Sequence, residues 1–391
     1  MKRSLTFFLI LVLCSLCALG ATNILRSDRI SMHYPSTLSE EAAARLLANR
    51  EAALAYAEES LGCQVTDRIT YIITASGGGG RGSATHVEYG LTDRILRQFE
   101  DDQALSPTFL GCHEEIHTVM FTCWGRGAFM LSEGLAMYLD LGYRGGIDNT
   151  LISRGLLELD LLPSVEDVPR LYLTFNKFNM GNTLSIYYGG GSLVEYLIVT
   201  YGLEAFMELH KHSRRPDDFA GASPRILGLS LSDLECDWHA YIRTETEGRE
   251  RAAQLLPDTL TWHPELRAQW KSLGELSREW PDVLGRSAVY EDVEDARSEA
   301  VEELQAATSD QAADSAYQRY QCTTAQMALV LKTWLEAATA YRDFLQSRDE
   351  LTIPEQAQLL RKALDNYTIV GDDALIRTVE SEFIELQSRR Q

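Results

Sequence analysis

The chain has 391 residues, 45% of them hydrophobic and 24% charged, which is enough apolar material for a sizeable core in one or two domains. Its 57 acidic and 36 basic residues give a net charge of −21, so the chain as a whole repels nucleic acid and anionic membrane surfaces. Nucleic-acid binding is therefore excluded as a first hypothesis.

The first twenty residues have the pattern of an export signal. Two basic residues precede an apolar stretch over 5–19, and small residues lead up to Ala21. Because this stretch is short for a membrane span, we expect removal of residues 1–20 and a soluble mature protein in the periplasm or outside the cell. Cys14 and Cys17 allow a lipid anchor, but each follows a leucine where the bacterial lipobox prefers a small residue. No later segment is apolar over the length of a span, so the mature chain is expected to have none.

A helix and a strand are predicted after the leader. Glu40–Leu61 is rich in strong helix formers and ends at Gly62, and Ile69–Thr74 is apolar and β-branched. Four glycines follow at 77–80, but no GK[ST] segment comes after them, so this is not a phosphate-binding loop. We expect a hairpin that leads into a second strand near Thr85–Tyr89.

Residues 113–117 read HEEIH, an HExxH motif, and form the clearest chemical signal in the chain. On a helix, His113 and His117 share one face, from which both imidazoles can bind a single Zn²⁺. Glu114 stands beside them and can take a proton from an attacking water. A five-residue pattern also arises by chance, and two helix histidines without a metal are the alternative interpretation.

The surrounding residues predict a helix around this motif. Ser106 and Pro107 suit the N-cap and the first helical position, and Gly125 lies just beyond the expected end. We therefore expect the motif to lie inside a helix of about seventeen residues.

A third metal ligand has to come from another segment. Met120 and Cys123 stand where the metzincin motif has glycine and histidine, which excludes that class. Residues 131–139 read LSEGLAMYL, in which Ser132 can cap a second helix and place Glu133 in its first turn. Two antiparallel helices would bring Glu133 to the metal, although by itself it is also an ordinary first-turn glutamate.

A third block, residues 187–197, reads YYGGGSLVEYL. Its apolar positions form a helix stripe that ends at Gly202, and its glycines permit a close approach of the backbone. A phenol at the entrance of this helix could stabilise developing negative charge. Two aromatic residues that simply pack there are the alternative.

Taken together, HExxH, EGLAMYL and the block at 187–197 resemble the gluzincin zinc peptidases, especially the peptidase-MA-like group with a thermolysin-like fold. The resemblance covers about residues 30–212 and implies that His113, His117 and Glu133 hold one Zn²⁺.

The same resemblance implies two catalytic residues. Glu114 corresponds to the general base, and a tyrosine donates a hydrogen bond to the tetrahedral oxyanion. Alignment on the glycine and helix positions makes that residue Tyr187, with Tyr188 as the alternative. The chain departs from the family in two ways: only fifteen residues separate His117 from Glu133, and no GxMEN segment is present. The second departure argues against an aminopeptidase.

The implied fold is α+β, a thermolysin-like zincin domain over 21–246 with a small N-terminal sheet and a helical active-site subdomain. From residue 247 glycine becomes scarce, and Asp295–Ala307 and Thr324–Gln346 show helical periodicity. An all-α domain is therefore predicted over 247–391, with surfaces to which a protein partner could bind.

The remaining histidines and the loop arginine give weaker signals. His210 and His212 are expected to face solvent, His86 to be structural, and Arg81 to lie in the glycine loop.

Cysteine usage gives no assignable framework. Five cysteines remain after the leader, an odd number without a CxxC pair, so neither a disulfide framework nor a thiolate zinc site is indicated. One or two bridges can form, but their pairing is not predicted.

Three hypotheses follow. The leading one is an exported zinc metallopeptidase, an endopeptidase rather than an aminopeptidase, which acts on peptides or proteins. The second is a non-catalytic binding or scaffolding protein on a peptidase-like fold, with a partner on the C-terminal helices. The third is a coincidental HExxH in an unrelated helical protein.

Overall fold

Helices dominate the fold, and a small sheet accompanies them in the N-terminal half. The computed structural model describes residues 22–35, 39–73, 82–87, 91–97, 111–140, 148–171, 184–260, 264–285 and 287–388. The predicted leader, the glycine run with Arg81, and the predicted helix start at Ser106 and Pro107 lie outside these residues. The chain forms two compact units, Met1–Glu247 and Gly248–Gln391. Helices with a small sheet are compatible with the predicted α+β class.

Five strands of the first unit's sheet are described. They are β1 (Thr22–Arg26), β2 (Ile30–Pro35), β3 (Ile69–Ile73), β4 (Gly82–Val87) and β5 (Leu91–Arg97). Their order is β1-β2-β3-β5-β4, in which β2, β3 and β5 run parallel while β1 and β4 form antiparallel edges. The predicted strand at 69–74 is confirmed. The second strand begins earlier than predicted because it pairs with β5, a strand that the sequence analysis did not identify.

Eight α-helices of the first unit are described. They are α1 (Glu40–Leu61), α2 (His113–Cys123), α3 (Phe129–Leu139), α4 (Asn149–Glu158), α5 (Gly190–Tyr201), α6 (Leu203–His212), α7 (Pro216–Leu227) and α8 (Leu231–Glu245). A 3₁₀ segment at Val165–Arg170 and a π-helical segment at Ser185–Gly189 complete the unit.

Helix α1 has the bounds that its sequence predicts. The Ser39 hydroxyl accepts a hydrogen bond from the N–H of Ala42, and Gly62 ends the helix in the left-handed region with φ 62°. Its buried stripe runs through Leu46, Arg50 and Leu54 and includes a charged residue. The stripe packs on α2, and both helices contact the sheet.

A disulfide joins Cys63, just after α1, to Cys123, the last residue of α2. Their Cα atoms lie 6.4 Å apart, within the range for such bridges. Among the described residues Cys112 is buried, whereas Cys236 and Cys322 are exposed. The bridge ties the C-terminal end of α2 to α1.

Six α-helices of the second unit are described. They are α9 (Glu250–Leu260), α10 (Pro264–Glu279), α11 (Ala288–Ala306), α12 (Asp310–Ser347), α13 (Ile353–Val370) and α14 (Asp373–Ser388). The long α12 packs against α10, α11 and α13 around buried Leu331, Phe344 and Tyr367. Both predicted helical segments lie largely within α11 and α12 and are confirmed. In the part of the chain that the structure covers, no helix is both long and apolar enough to span a membrane.

Replacing Cys63 and Cys123 together with serine should lower the free energy of unfolding by about 2–4 kcal/mol, because the bridge closes a long loop of the unfolded chain. Guanidinium titration under non-oxidising and non-reducing conditions measures this. The matched control, serine at the exposed Cys236, should change the unfolding free energy by less than about 0.5 kcal/mol. A double variant as stable as the wild type would contradict the expectation.

Candidate metal centre

The HExxH motif occupies the first turns of α2. The prediction that the motif lies on a helix is confirmed, but the helix begins at His113, after the non-helical Gly111 and Cys112, so the predicted length of about seventeen residues is wrong. Two contacts explain the start. The Gly111 carbonyl accepts a hydrogen bond from Arg50 Nη1 at 2.7 Å, and the Cys112 N–H donates to Asp140 Oδ1 at 2.9 Å. Both backbone groups are thus used by tertiary contacts.

Three side chains converge on one point in front of α2. His113 Nε2 lies 3.2 Å from His117 Nε2 and 3.2 Å from Glu133 Oε2, and His117 Nε2 lies 3.3 Å from the same oxygen. These residues form a buried group that could hold a metal ion. The structure therefore brings together the two histidines of the motif and a glutamate from a separate helix.

The spacing of these atoms suits a small tetrahedral cation. Ligands held tetrahedrally at about 2.0–2.1 Å from Zn²⁺ lie about 3.3–3.4 Å from one another, close to the three separations observed. Two imidazole nitrogens and one carboxylate oxygen are also a donor set that Zn²⁺ accepts, with a fourth position left for water or substrate. The residues present fit the metal that the motif predicts.

Burial and charge act on Glu133 in opposite directions. Burial by itself raises the pKa of Glu133, but its electrostatic interaction with His117 and hydrogen bonds with both imidazoles outweigh this effect and hold that pKa well below its usual range. The carboxylate is therefore ionised at neutral pH, as a metal ligand must be.

Glu133 lies in the second turn of α3, whose start differs from the prediction. The helix begins at Phe129 with Ala128 as N-cap, so the expectation that Ser132 caps it is wrong. The Ala128 N–H donates to Ser213 Oγ at 2.7 Å, which satisfies it without a local cap. Ser132 is instead a helical residue whose hydroxyl donates to the Ala128 carbonyl at 3.1 Å.

His210 is buried behind α3, and the expectation that it faces solvent is wrong. It belongs to the buried stripe of α6 with Phe206 and Leu209, whereas His212 is exposed. Its Nε2 lies 3.1 Å from Ser132 Oγ. Burial, reinforced by electrostatic interactions with His117 and Lys211, lowers the pKa of His210 to about 4, so its imidazole is neutral at pH 7.

Helices α3 and α5 cross at two glycines. A Cβ atom added at Gly134 would lie 2.3 Å from the Gly190 carbonyl oxygen, and one added at Gly190 would lie 2.6 Å from the Met130 carbonyl oxygen. Only glycine permits this approach of the two backbones. Because Gly134 follows Glu133 directly, the contact positions the third ligand.

The π-helical segment before α5 brings one tyrosine to the site. The Tyr187 ring lies 6.4 Å from the His113 ring, centroid to centroid, in a stacked arrangement with an interplanar angle of 26°. Tyr187 is partly exposed, whereas Tyr188 is fully buried. Of the two tyrosines that the sequence leaves open, Tyr187 is thus partly exposed beside His113.

Glu114 and the edge strand complete the surroundings. Glu114 is 8% exposed and, at about 100° per residue, lies beside the face of α2 that carries the two histidines. Strand β4, which contains His86, is an edge of the sheet and contacts α2. Among the described residues, an edge strand thus contacts the helix that carries the two histidines.

Sequence reasoning missed a buried polar group on the back of α2. Glu115 and Arg50 form an ion pair at 3.1 Å with both residues 0% exposed, and the Tyr71 hydroxyl also donates to Glu115. One signal could have revealed it, since Arg50 lies on the apolar stripe of α1, where a charge requires a buried partner.

Gly134→Ala should destabilise the protein by about 1–3 kcal/mol and lower its zinc content, because the added methyl group forces α3 away from α5. Denaturant titration and metal analysis measure the two effects. Gly221→Ala is the matched control, since nothing lies within 4 Å of its added Cβ on α7. That substitution should leave stability unchanged or raise it by up to about 1 kcal/mol. Equal behaviour of the two variants would show that the crossing tolerates a side chain.

The lowered pKa of His210 predicts a loss of stability in acid. The unfolded chain takes up a proton on this residue below its ordinary pKa, and the folded protein does so only near pH 4. The unfolding free energy should therefore fall by on the order of 3 kcal/mol from this group as the pH drops from 6.5 to 4. His210→Gln, which does not titrate, should lack that component when stability is measured across this range. Parallel curves for the two proteins would refute the assignment.

Comparison of the chain with known protein families and curated proteins gives no match. No protein-family model matches the chain, and no curated protein matches it either.

Proposed function

We propose that this protein is an exported, zinc-dependent metallopeptidase of gluzincin type with a thermolysin-like catalytic domain. The observation that carries the proposal is the convergence of His113 Nε2, His117 Nε2 and Glu133 Oε2 to within 3.3 Å of one another. The three residues come from two helices, and their donor atoms suit Zn²⁺.

Each residue of the site has a proposed part in peptide hydrolysis. Zn²⁺, when bound, lowers the pKa of a water and polarises a carbonyl. Glu114 accepts the proton of the attacking water and passes it to the leaving amine. The Tyr187 hydroxyl donates a hydrogen bond to the oxyanion of the tetrahedral intermediate. The partial exposure of Tyr187 beside His113 supports this assignment over Tyr188.

The substrate is proposed to be an extended peptide. Among the described strands, β4 pairs with β5 on one side only, and it contacts the helix that bears the two histidines. A peptide that adds to this edge as a further strand would receive main-chain hydrogen bonds and run alongside the site. Binding through main-chain groups suits an endopeptidase, and the absence of a GxMEN segment also argues against an aminopeptidase.

Export is supported by the disulfide as well as by the leader. Bridges such as Cys63–Cys123 form and persist in oxidising compartments and are rare in the cytosol. The proposed location is therefore the periplasm or the extracellular space.

The test compares zinc content and hydrolysis of a peptide library for the mature wild type, Glu114→Gln and Glu133→Ala. The wild type should hold roughly one zinc per chain, and Glu133→Ala much less, because it loses one of three protein ligands. Glu114→Gln should keep the zinc but lose about 10²–10⁴-fold in kcat/KM, because the general base is gone. Glu166→Gln, at an exposed position of the same unit, is the matched control and should behave as wild type.

Two outcomes would reject the proposal. A wild type that refuses zinc even when zinc is added has no such centre. A zinc-loaded wild type that cleaves no peptide while a stable partner co-purifies would instead support the binding or scaffolding hypothesis.

A further inference from the structure

Glu115 lies on the side of α2 opposite the metal ligands. With about 100° between successive residues, Glu115 is about 160° around the helix axis from both His113 and His117. Any rotation of α2 about its axis therefore moves the Glu115 carboxylate and the two imidazoles together, in opposite directions. A contact that fixes Glu115 also fixes the direction in which the imidazoles point.

Arg50 makes such a contact at two points. Its Nη1 donates to Glu115 Oε1 at 3.1 Å and to the Gly111 carbonyl at 2.7 Å. One guanidinium nitrogen from α1 thus holds both the residue in the first turn of α2 and the backbone just before it. The Tyr71 hydroxyl, from β3 in the middle of the sheet, donates to the same Glu115 oxygen. Three separate elements therefore meet at this carboxylate.

Stability alone does not account for a charged pair at this place. Arg50 and Glu115 are both 0% exposed, and the desolvation of two buried charges opposes their attraction. Arg50 Nε has no hydrogen-bond partner among the residues that the structure covers, which adds to the cost. Apolar side chains of similar volume are often as stabilising or more so. Unlike apolar packing, however, hydrogen bonds are directional, so they fix one rotation of the helix about its axis.

We propose that Arg50 and Glu115 are a positioning pair that sets the rotation of α2, so that His113 and His117 face Glu133. This inference rests on the proposed function, because the pair positions the residues to which that function assigns the zinc. Neither residue touches substrate or metal. They act through the helix that separates them from the site.

The test replaces the pair by apolar residues of similar volume, Arg50→Met with Glu115→Leu, in the full mature chain. Zinc affinity is measured by competition with a chelator, and folding by denaturant titration. The double variant should unfold cooperatively yet bind zinc about 10–100-fold more weakly, as is typical when groups that orient metal ligands are removed. The matched control is Arg154→Met with Glu158→Leu, which removes an ion pair within α4. Its zinc affinity should equal that of the wild type, and equal affinity in both double variants would overturn the proposal.

If the double variant does not fold, a milder substitution tests the proposal. Arg50→Lys keeps the charge but replaces the planar guanidinium by a compact ammonium on a flexible chain. It should fold and lose zinc affinity several-fold. Wild-type affinity in Arg50→Lys, when the double variant is unfolded, would mean that the pair serves stability alone.

A second measurement separates this inference from the proposed function. Crystal structures of the zinc-free wild type and of the folded variant give the distance between His117 Nε2 and Glu133 Oε2, which is 3.3 Å here. We expect this distance to be clearly longer in the variant than in the wild type. If the wild type refuses zinc, the proposed function fails, and this distance decides the positioning role. An unchanged distance would overturn it.

Discussion

The attachment of α2 to α1 is the constraint on which the site depends. Near the start of α2, Arg50 holds Glu115 and the Gly111 carbonyl, and at its end the Cys63–Cys123 disulfide joins the two helices covalently. Both attachments leave the opposite face of the helix available. That face carries the two imidazoles, so the packing of α2 against α1 also sets the direction in which the imidazoles point.

The third donor is positioned independently. Glu133 lies on α3, which the close contact of Gly134 with Gly190 holds against α5. The start of α3 is fixed from α6, since Ser213 accepts the Ala128 N–H and His210 contacts Ser132. Contacts from α5 and from the end of α6 thus hold α3, the helix that carries Glu133. A site that is held in this way from several sides pays little reorganisation on binding a cation.

How much the sequence predicts depends on how local each feature is. Helix α1, with its cap at Ser39 and its end at Gly62, follows from neighbouring residues, as does the spacing of the HExxH histidines. The predicted starts of the two helices that carry the site residues are wrong. Helix α2 begins at His113 and α3 at Phe129, because Asp140 and Ser213 accept the N–H groups of Cys112 and Ala128 just before them. The burial of His210 is not predictable from its own segment, because the sequence of a short amphipathic helix does not show which element packs against it.

The sequence by itself determined which residues are able to do chemistry: two histidines one helical turn apart, a glutamate beside them, and a second glutamate in an EGLA segment. These follow from covalent order and helical periodicity, which act over a few residues. Only the tertiary structure decided that Glu133 meets the histidines, that Tyr187 rather than Tyr188 lies next to them, and that Arg50 pairs with Glu115 across 65 positions. Contacts between distant segments arise from the packing of whole helices, and no local pattern in one segment specifies its partner in another.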